Sequence, residues 1–275
     1  MGAKYSTTDY RYPYEYLILV ITIGVVLLVI AFTAAATVCT SAIFVPAVVI
    51  MGYFASRNNH RALLVRAQQV TSQTAPEMLP LIQMNSARLQ VELVNVFIVA
   101  SNQLNAYTFG MDSPKAIVLY SSLFKIMDRD EIQFILGHEM GHVKLGHTWL
   151  NTLVGGMAGI PSSLGAAAIM ELAFRWWNRT CEYSADRAGV LACGKPGKAI
   201  SALVKLEVGP NARTQAGMQA AIQHLETEDD DIMHNLEELL ASHPMIAKRV
   251  EQIRHFTNTQ EYLNMQSKMD KNLVG

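Results

Sequence analysis

From Tyr16 to Ser56 the chain carries no Asp, Glu, Lys or Arg, only the apolar run YLILVITIGVVLLVIAFTAAATVCTSAIFVPAVVIMGYFAS. A membrane-spanning helix needs about 20 apolar residues, and the hydrocarbon core is about 30 Å thick. As a single helix this run of about 40 residues would be about 60 Å long. The pattern therefore predicts two antiparallel spans, turning in the Ala- and Thr-rich stretch from Thr33 to Ser41, with a kink at Pro46 that membrane helices tolerate. The competing reading is one very buried core helix, although core helices rarely avoid charge for so long. A secretory signal does not fit, because its apolar core is about 7–15 residues and no small-residue cleavage site closes this run. Tyr10, Tyr12, Tyr14 and Tyr16 lead into the segment and suit the aromatic belt at a headgroup boundary.

Beyond it the periodicity changes. Residues from Arg57 to about Val70 and from Pro76 to Gln90 mix polar and apolar positions as helices do. Three short runs rich in β-branched or aromatic residues follow: Val96–Val99, Ala106–Phe109 and Ala116–Tyr120. Asn, Gly, Asp, Ser and Pro separate them, which predicts a small, mostly antiparallel sheet. Asp128 opens a helix with Asp130 and Glu131 in its first turn, where they complement the helix dipole, and nothing but tolerated glycines interrupts it before His147. After Arg175 the chain reads helical, with breaks at Gly194-Lys195-Pro196, Gly209-Pro210 and His243-Pro244. The acidic cluster from Glu226 to Asp231 reads as a solvated loop and helix start. The expected organisation is a flank over 1–15, a transmembrane segment over 16–56 and one domain over 57–275. Its class is α+β, mainly helical: a transmembrane hairpin followed by a domain with a small antiparallel sheet.

Composition sharpens this picture. Charged residues make up 16% of the 275, below the roughly 25% of an ordinary soluble domain. Leu145 to Met170 is a second charge-free stretch. Setting both stretches aside brings the rest close to that ordinary density. With 51% hydrophobic residues the chain does not read as disordered. A pI near 6.7 offers no basic surplus for nucleic acid. Three widely spaced cysteines, Cys39, Cys181 and Cys193, are not a disulfide scaffold. Lys4 and Arg11 precede the apolar run, Arg57, Arg61 and Arg66 follow it, and the expected turn has no basic residue. Positive residues favour the cytoplasmic side, so both flanks and the domain are expected there, in a cell inner membrane or its equivalent. Met1-Gly2…Ser6 fits a short myristoylation pattern, which an adjacent span would make redundant.

The chemistry lies in His138-Glu139-Met140-Gly141-His142. Two histidines four apart on a helix share a face at roughly 5–6 Å and can chelate one ion. Zinc accepts imidazole nitrogen and keeps an open position in catalytic sites. Glu139 stands where a general base is needed. His147 is nine residues from His138, about half a turn off that face, and reads as a surface or helix-end histidine. The H-E-x-x-H-x-x-G-x-x-H arrangement is ruled out by Leu145 and Thr148. A third ligand is better sought at Glu182, which with Asp186 puts two carboxylates on one face of a second helix. One of them can bind an ion while the other orients a histidine. The same pair also reads as a solvated acidic face with Arg179 or Arg187.

Four motifs in order resemble the HtpX-type membrane zinc metallopeptidases, a grouping that includes the CAAX prenyl-protein endopeptidases. They are Asn105-Ala106-Tyr107, His138–His142, Glu182-Tyr183-Ser184-Ala185-Asp186-Arg187-Ala188-Gly189, and Ser242-His243-Pro244 with Arg249. The resemblance covers about Asn105 to Arg249. It implies a gluzincin-type peptidase domain and one Zn2+ held by His138, His142 and Glu182, with Glu139 as base and Asp186 behind a ligand. It places Asn105 and Tyr107 on the strand lining the cleft. His243 and Arg249 stand near the oxyanion or have a structural role; a helix start for His243 and a carboxylate partner for Arg249 are the plainer readings. Relatives carry extra spans between the zinc helix and the Glu helix. Here Glu182 must return to the ion, and two crossings would need about 40 residues. Leu145 to Met170 is therefore expected as a buried hairpin turning at Pro161-Ser162-Ser163, or as a shallow membrane contact. The function expected is a zinc endopeptidase acting on polypeptides at a bilayer, in membrane-protein quality control. A catalytically silent zinc-domain scaffold is the alternative.

Overall fold

The computed structural model describes residues 9–36, 64–92, 94–110, 115–148, 165–208 and 246–274, with isolated positions between 47 and 62. The first element, α1 (Glu15–Ala36), is long and apolar enough to cross a membrane. Its window Glu15–Thr33 has a mean hydropathy of 2.9, yet only 17% of it is buried in the protein. A core helix of that composition would be covered on all sides. Here Leu17, Val20, Leu27, Leu28 and Phe32 face outward, as a lipid-facing helix requires. The second expected span and its turn lie outside the described residues.

A four-stranded sheet follows, built from β1 (Gln68–Gln69), β2 (Asn95–Val99), β3 (Ala106–Phe109) and β4 (Ala116–Tyr120) in the order β1-β2-β4-β3. β1 and β2 pair antiparallel, as do β3 and β4, but β2 and β4 are parallel, with Asn95 opposite Ala116 and Val99 opposite Tyr120. The expected antiparallel sheet is therefore mixed. Strand composition reports length and burial but not neighbours. The chain leaving β2 passes to the sheet edge as β3, and the β3–β4 hairpin then inserts β4 between them. Insertion makes β4 the central strand, so Ile117, Val118 and Leu119 are all fully buried. An unbroken apolar run is what a strand covered on both faces needs.

Helices pack around this sheet: α2 (Leu79–Leu89), the short α3 (Leu123–Ile126), α4 (Arg129–Leu145), α5 (Gly165–Cys193), α6 (Pro196–Val208), α7 (Ile246–Thr257) and α8 (Gln260–Val274). One apolar core joins α2, α4, α5, α6, α7 and α8 to the sheet through residues such as Leu89, Leu119, Phe134, Leu136, Leu191, Leu203 and Phe256. α4 starts on a capping box: Asp128 accepts from the backbone N–H of Asp130 and Glu131 at 3.0 Å, and Glu131 reaches back to the Asp128 N–H at 2.7 Å. It ends at Gly146, whose φ of 81° is left-handed and turns the chain out of the helix.

α5 runs antiparallel to α1. Ser184 meets Glu15, Trp177 and Cys181 pack on Ile18, and Thr22 donates to the Ala173 carbonyl at 3.0 Å. The first turns of α5 thus continue beside the apolar span, and Ile169 and Trp176 are exposed there. The end of the second charge-free stretch is therefore the start of the helix that carries Glu182. The proposed turn at Pro161-Ser162-Ser163 lies outside the described residues.

Candidate metal centre

α4 and α5 cross unusually closely. A Cβ built on Gly137 would overlap Ala192 Cβ and meet Gly189 Cα at 3.1 Å; on Gly141 it would meet Ala188 Cβ at 2.7 Å and Ala185 Cα at 3.3 Å. Gly137 and Gly141 each precede a histidine of the motif. Ala185, Ala188, Gly189 and Ala192 follow Glu182 at helical spacing over the next three turns. Bare backbone on α4 lets α5 approach until Glu182 reaches the histidine pair. The glycines that the sequence reading passed over as tolerated are what close the site.

His138, Glu139, His142 and Glu182 are all buried. His138 Nε2 and His142 Nε2 are 3.2 Å apart. Glu182 presents Oε2 at 3.4 Å from His138 Nε2 and Oε1 at 3.3 Å from His142 Nε2. A tetrahedral ion with bonds of about 2.0–2.1 Å has ligand-to-ligand edges of about 3.3–3.4 Å, so each of these pairwise spacings suits two ligands of one zinc-sized ion. Burial disfavours a charged His138. Its bonds to Asp186 and Glu182 outweigh that burial and push its pKa up to about 10. Glu182 is held well below the usual carboxylate range: burial alone would raise it, but Arg249 and the histidines prevail.

Each histidine is gripped from behind. His138 Nδ1 lies 2.9 Å from Asp186 Oδ1. Arg249, delivered by α7, donates to Asp186 twice, from Nε to Oδ2 at 2.7 Å and from an Nη to Oδ1 at 2.6 Å, and its other Nη is 3.3 Å from Glu182 Oε2. Arg249 thus has the carboxylate partner of the plainer reading. The solvated acidic face is overturned, because Glu182 and Asp186 are buried and Arg187 lies over the rings of Phe256 and Tyr12 instead.

His147 is a correction. It is 2% exposed, with Nδ1 at 2.9 Å from His142 Nδ1 and Nε2 at 3.2 Å from Glu15 Oε1. Ideal helical phase placed it on the far side. The left-handed turn at Gly146 breaks that phase and swings it back behind His142. Burial first, and then the neighbouring His142 and Arg11, lower its pKa well below the ordinary value, so it is neutral. Arg11 and Ser184 both donate to Glu15. Among the described residues, Glu15, His147 and Cys181 also converge as a group with donor atoms within 4.8 Å.

Thr108 on β3 was missed from the sequence. Its hydroxyl donates to Glu139 Oε2 at 2.6 Å. Strand alternation held the signal: Tyr107 and Thr108 point to opposite faces, and the Thr108 face looks at α4. Tyr107 packs instead near Phe109 and Tyr120, with ring centroids 6.0 and 6.2 Å away. Asn105 is exposed just before β3 and its carbonyl accepts from the Tyr120 N–H at 3.1 Å. β3 is an edge strand of the described sheet. His243 lies outside the described residues.

Comparison with known proteins follows the same outline. The chloroplastic plastoglobule-localized metallopeptidase 48 of Arabidopsis thaliana is 28% identical over 192 residues, spanning 64% of this chain and 56% of its own length. The protease HtpX homolog of Thermococcus kodakarensis is 26% identical over 228 residues, spanning 68% of this chain and 76% of its own. The crystal structure of S. mikatae Ste24p aligns with a TM-score of 0.51 at 17% identity. It covers 87% of this chain and 65% of that one, a likeness of fold. Residues 66–257 match the sequence pattern of Peptidase family M48, and over that majority of its length the chain belongs to that family.

Proposed function

We propose that this chain is a membrane-anchored zinc endopeptidase. The observation that carries the reading is the convergence of His138, His142 and Glu182: the two Nε2 atoms lie 3.2 Å apart and each faces one oxygen of the Glu182 carboxylate at 3.3 to 3.4 Å. In this reading those three residues hold one Zn2+. When bound, zinc supplies Lewis-acid polarisation of the scissile carbonyl and acidifies water. Glu139 takes the proton of the attacking water, and as the C–N bond breaks it hands that proton to the departing amine nitrogen. Thr108 holds the Glu139 carboxylate in place between these transfers. Asp186 accepts from His138 Nδ1, which leaves Nε2 free to bind, and Arg249 keeps Asp186 ionised and fixed. A substrate segment lies along β3, past Asn105 and Tyr107. A silent scaffold would have no use for a carboxylate so oriented.

The exposed apolar face of α1 supports a bilayer as the setting, and the basic flanks support a cytoplasmic domain. A cleft beside a membrane meets misfolded or membrane-tethered polypeptides, which supports a role in quality control. The test uses purified, zinc-loaded protein with unfolded casein. Glu139→Gln keeps stoichiometric zinc and loses roughly 10²–10⁴ in rate. Equal cleavage by both proteins, or no cleavage by zinc-bound wild type, overturns the proposal.

A further inference from the structure

A buried carboxylate at the start of a membrane helix needs a reason. Glu15 is 2% exposed, although it stands at the first turn of α1. A carboxylate at a membrane boundary has water within reach, so burial here has been imposed by what it touches. Arg11 and Ser184 donate to it, Ser184 in turn accepts from the Tyr12 N–H at 2.8 Å, and Arg11 also donates to the Leu145 carbonyl at 2.9 Å, at the end of α4. Among the described residues the carboxylate also faces His147 Nε2 at 3.2 Å.

The proton positions along this line are dictated by chemistry. A histidine that binds through Nε2 carries its hydrogen on Nδ1. His142 therefore donates from Nδ1, and the atom 2.9 Å away, His147 Nδ1, accepts. An imidazole accepting at Nδ1 has its own hydrogen on Nε2, and that hydrogen points at Glu15 Oε1. The chain of donors runs from His142 through His147 to Glu15 with no conflict. It mirrors the other arm, in which His138 donates to Asp186 and an arginine braces the carboxylate. Here Arg11 plays the bracing part.

We infer that Glu15 is a positioning residue for the metal centre, fixing the tautomer and orientation of His142 through His147. The inference rests on the metal-centre reading above. It ties the seating of the membrane helix to the geometry of a ligand, because the first turn of α1 that packs on α5 is also the turn from which Glu15 reaches His147. Glu15, His147 and Cys181 do not form a second ion site, because the Arg11 guanidinium already supplies the positive charge beside that carboxylate.

The experiment measures zinc affinity by chelator competition on the full chain in detergent, together with the visible spectrum of the cobalt-substituted protein. Both readouts are independent of proteolysis. Glu15→Gln raises the zinc dissociation constant roughly 10- to 100-fold, the usual effect of losing a partner behind a ligating histidine, and alters the cobalt spectrum. Thr22→Val removes a different buried tie between α1 and α5 and leaves both readouts at wild type; equal losses in the two variants would make Glu15 merely structural and overturn the inference. Should Glu15→Gln not fold, His147 decides. His147→Gln keeps one acceptor and one donor and holds zinc near wild-type affinity, whereas His147→Leu weakens it. Wild-type affinity in His147→Leu overturns the inference. Two zinc ions per wild-type chain, one lost in Cys181→Ser, would overturn it as well. A wild type that binds no zinc removes the metal centre itself, while a wild type that binds zinc indifferent to Glu15 refutes this inference alone.

Discussion

Gly141→Ala is the sharpest test of how the site is closed. The new methyl would lie 2.7 Å from Ala188 Cβ and 3.3 Å from Ala185 Cα, against an ordinary carbon contact of about 3.5–4.0 Å. Neither neighbour is a flexible side chain, so α4 and α5 must part by roughly 1 Å. The His142 Nε2 to Glu182 Oε1 edge, now 3.3 Å, would open to roughly 4 Å, wider than the ~3.3–3.4 Å that one tetrahedral ion spans. Alanine returns about 1 kcal/mol of helix propensity, and overpacking costs about 1–3 kcal/mol, so the metal-free fold loses only about 0–2 kcal/mol. Zinc binding suffers more directly, and each tenfold loss of affinity removes about 1.4 kcal/mol of the stabilisation that saturating zinc confers. Chelator competition and unfolding midpoints with and without zinc separate the two effects. Ala188→Gly in the same chain removes the clashing methyl and restores zinc affinity, even though its own propensity cost remains. Unchanged zinc affinity in Gly141→Ala, or no recovery in the double variant, would refute the reasoning.

Arg249→Met leaves the buried Asp186 and Glu182 without their cation. It destabilises the zinc-free protein by about 3–5 kcal/mol in denaturant unfolding, and Arg249→Lys does not rescue it, because an ammonium cannot reproduce the paired bonds to Asp186. Thr108→Val removes the hydroxyl that holds Glu139; kcat for a peptide substrate falls roughly tenfold, in line with about 1.5 kcal/mol for a bond to a charged group, while KM and zinc content are unchanged. Asp128→Ala breaks the capping box of α4 and costs about 1 kcal/mol. Burial alone would raise the Asp128 carboxyl, but Lys198 and the backbone N–H groups of Glu131 and Asp130 bring it below its ordinary value of 3.8. A lowered carboxylate contributes fully above its unfolded pKa and loses that contribution as pH falls through the folded one. The gap between Asp128→Ala and wild type in urea midpoints therefore closes below about pH 4.

What could be read along the chain was what is local. Charge-free length announced α1, and a spacing of four on a helix put His138 and His142 on one face, since both follow from rise and turn per residue. Asp128 announced the start of α4 because a cap acts within one turn. Glu182 is 40 residues from His142, so spacing offered only a candidate and family resemblance gave it a role. The tertiary structure decided what depends on approach between distant segments. Backbone contact at Gly137 and Gly141 shows why α5 can come near enough, whereas on a lone helix those glycines look merely permissive. Insertion of β4 between β2 and β3 made the sheet mixed, which no strand's own residues record. Thr108 gained its partner only when β3 met α4. Uninterrupted helical phase would put His147 on the far face of α4. One left-handed residue, Gly146, broke that phase, and Glu15, 132 residues away, met it only in the folded chain.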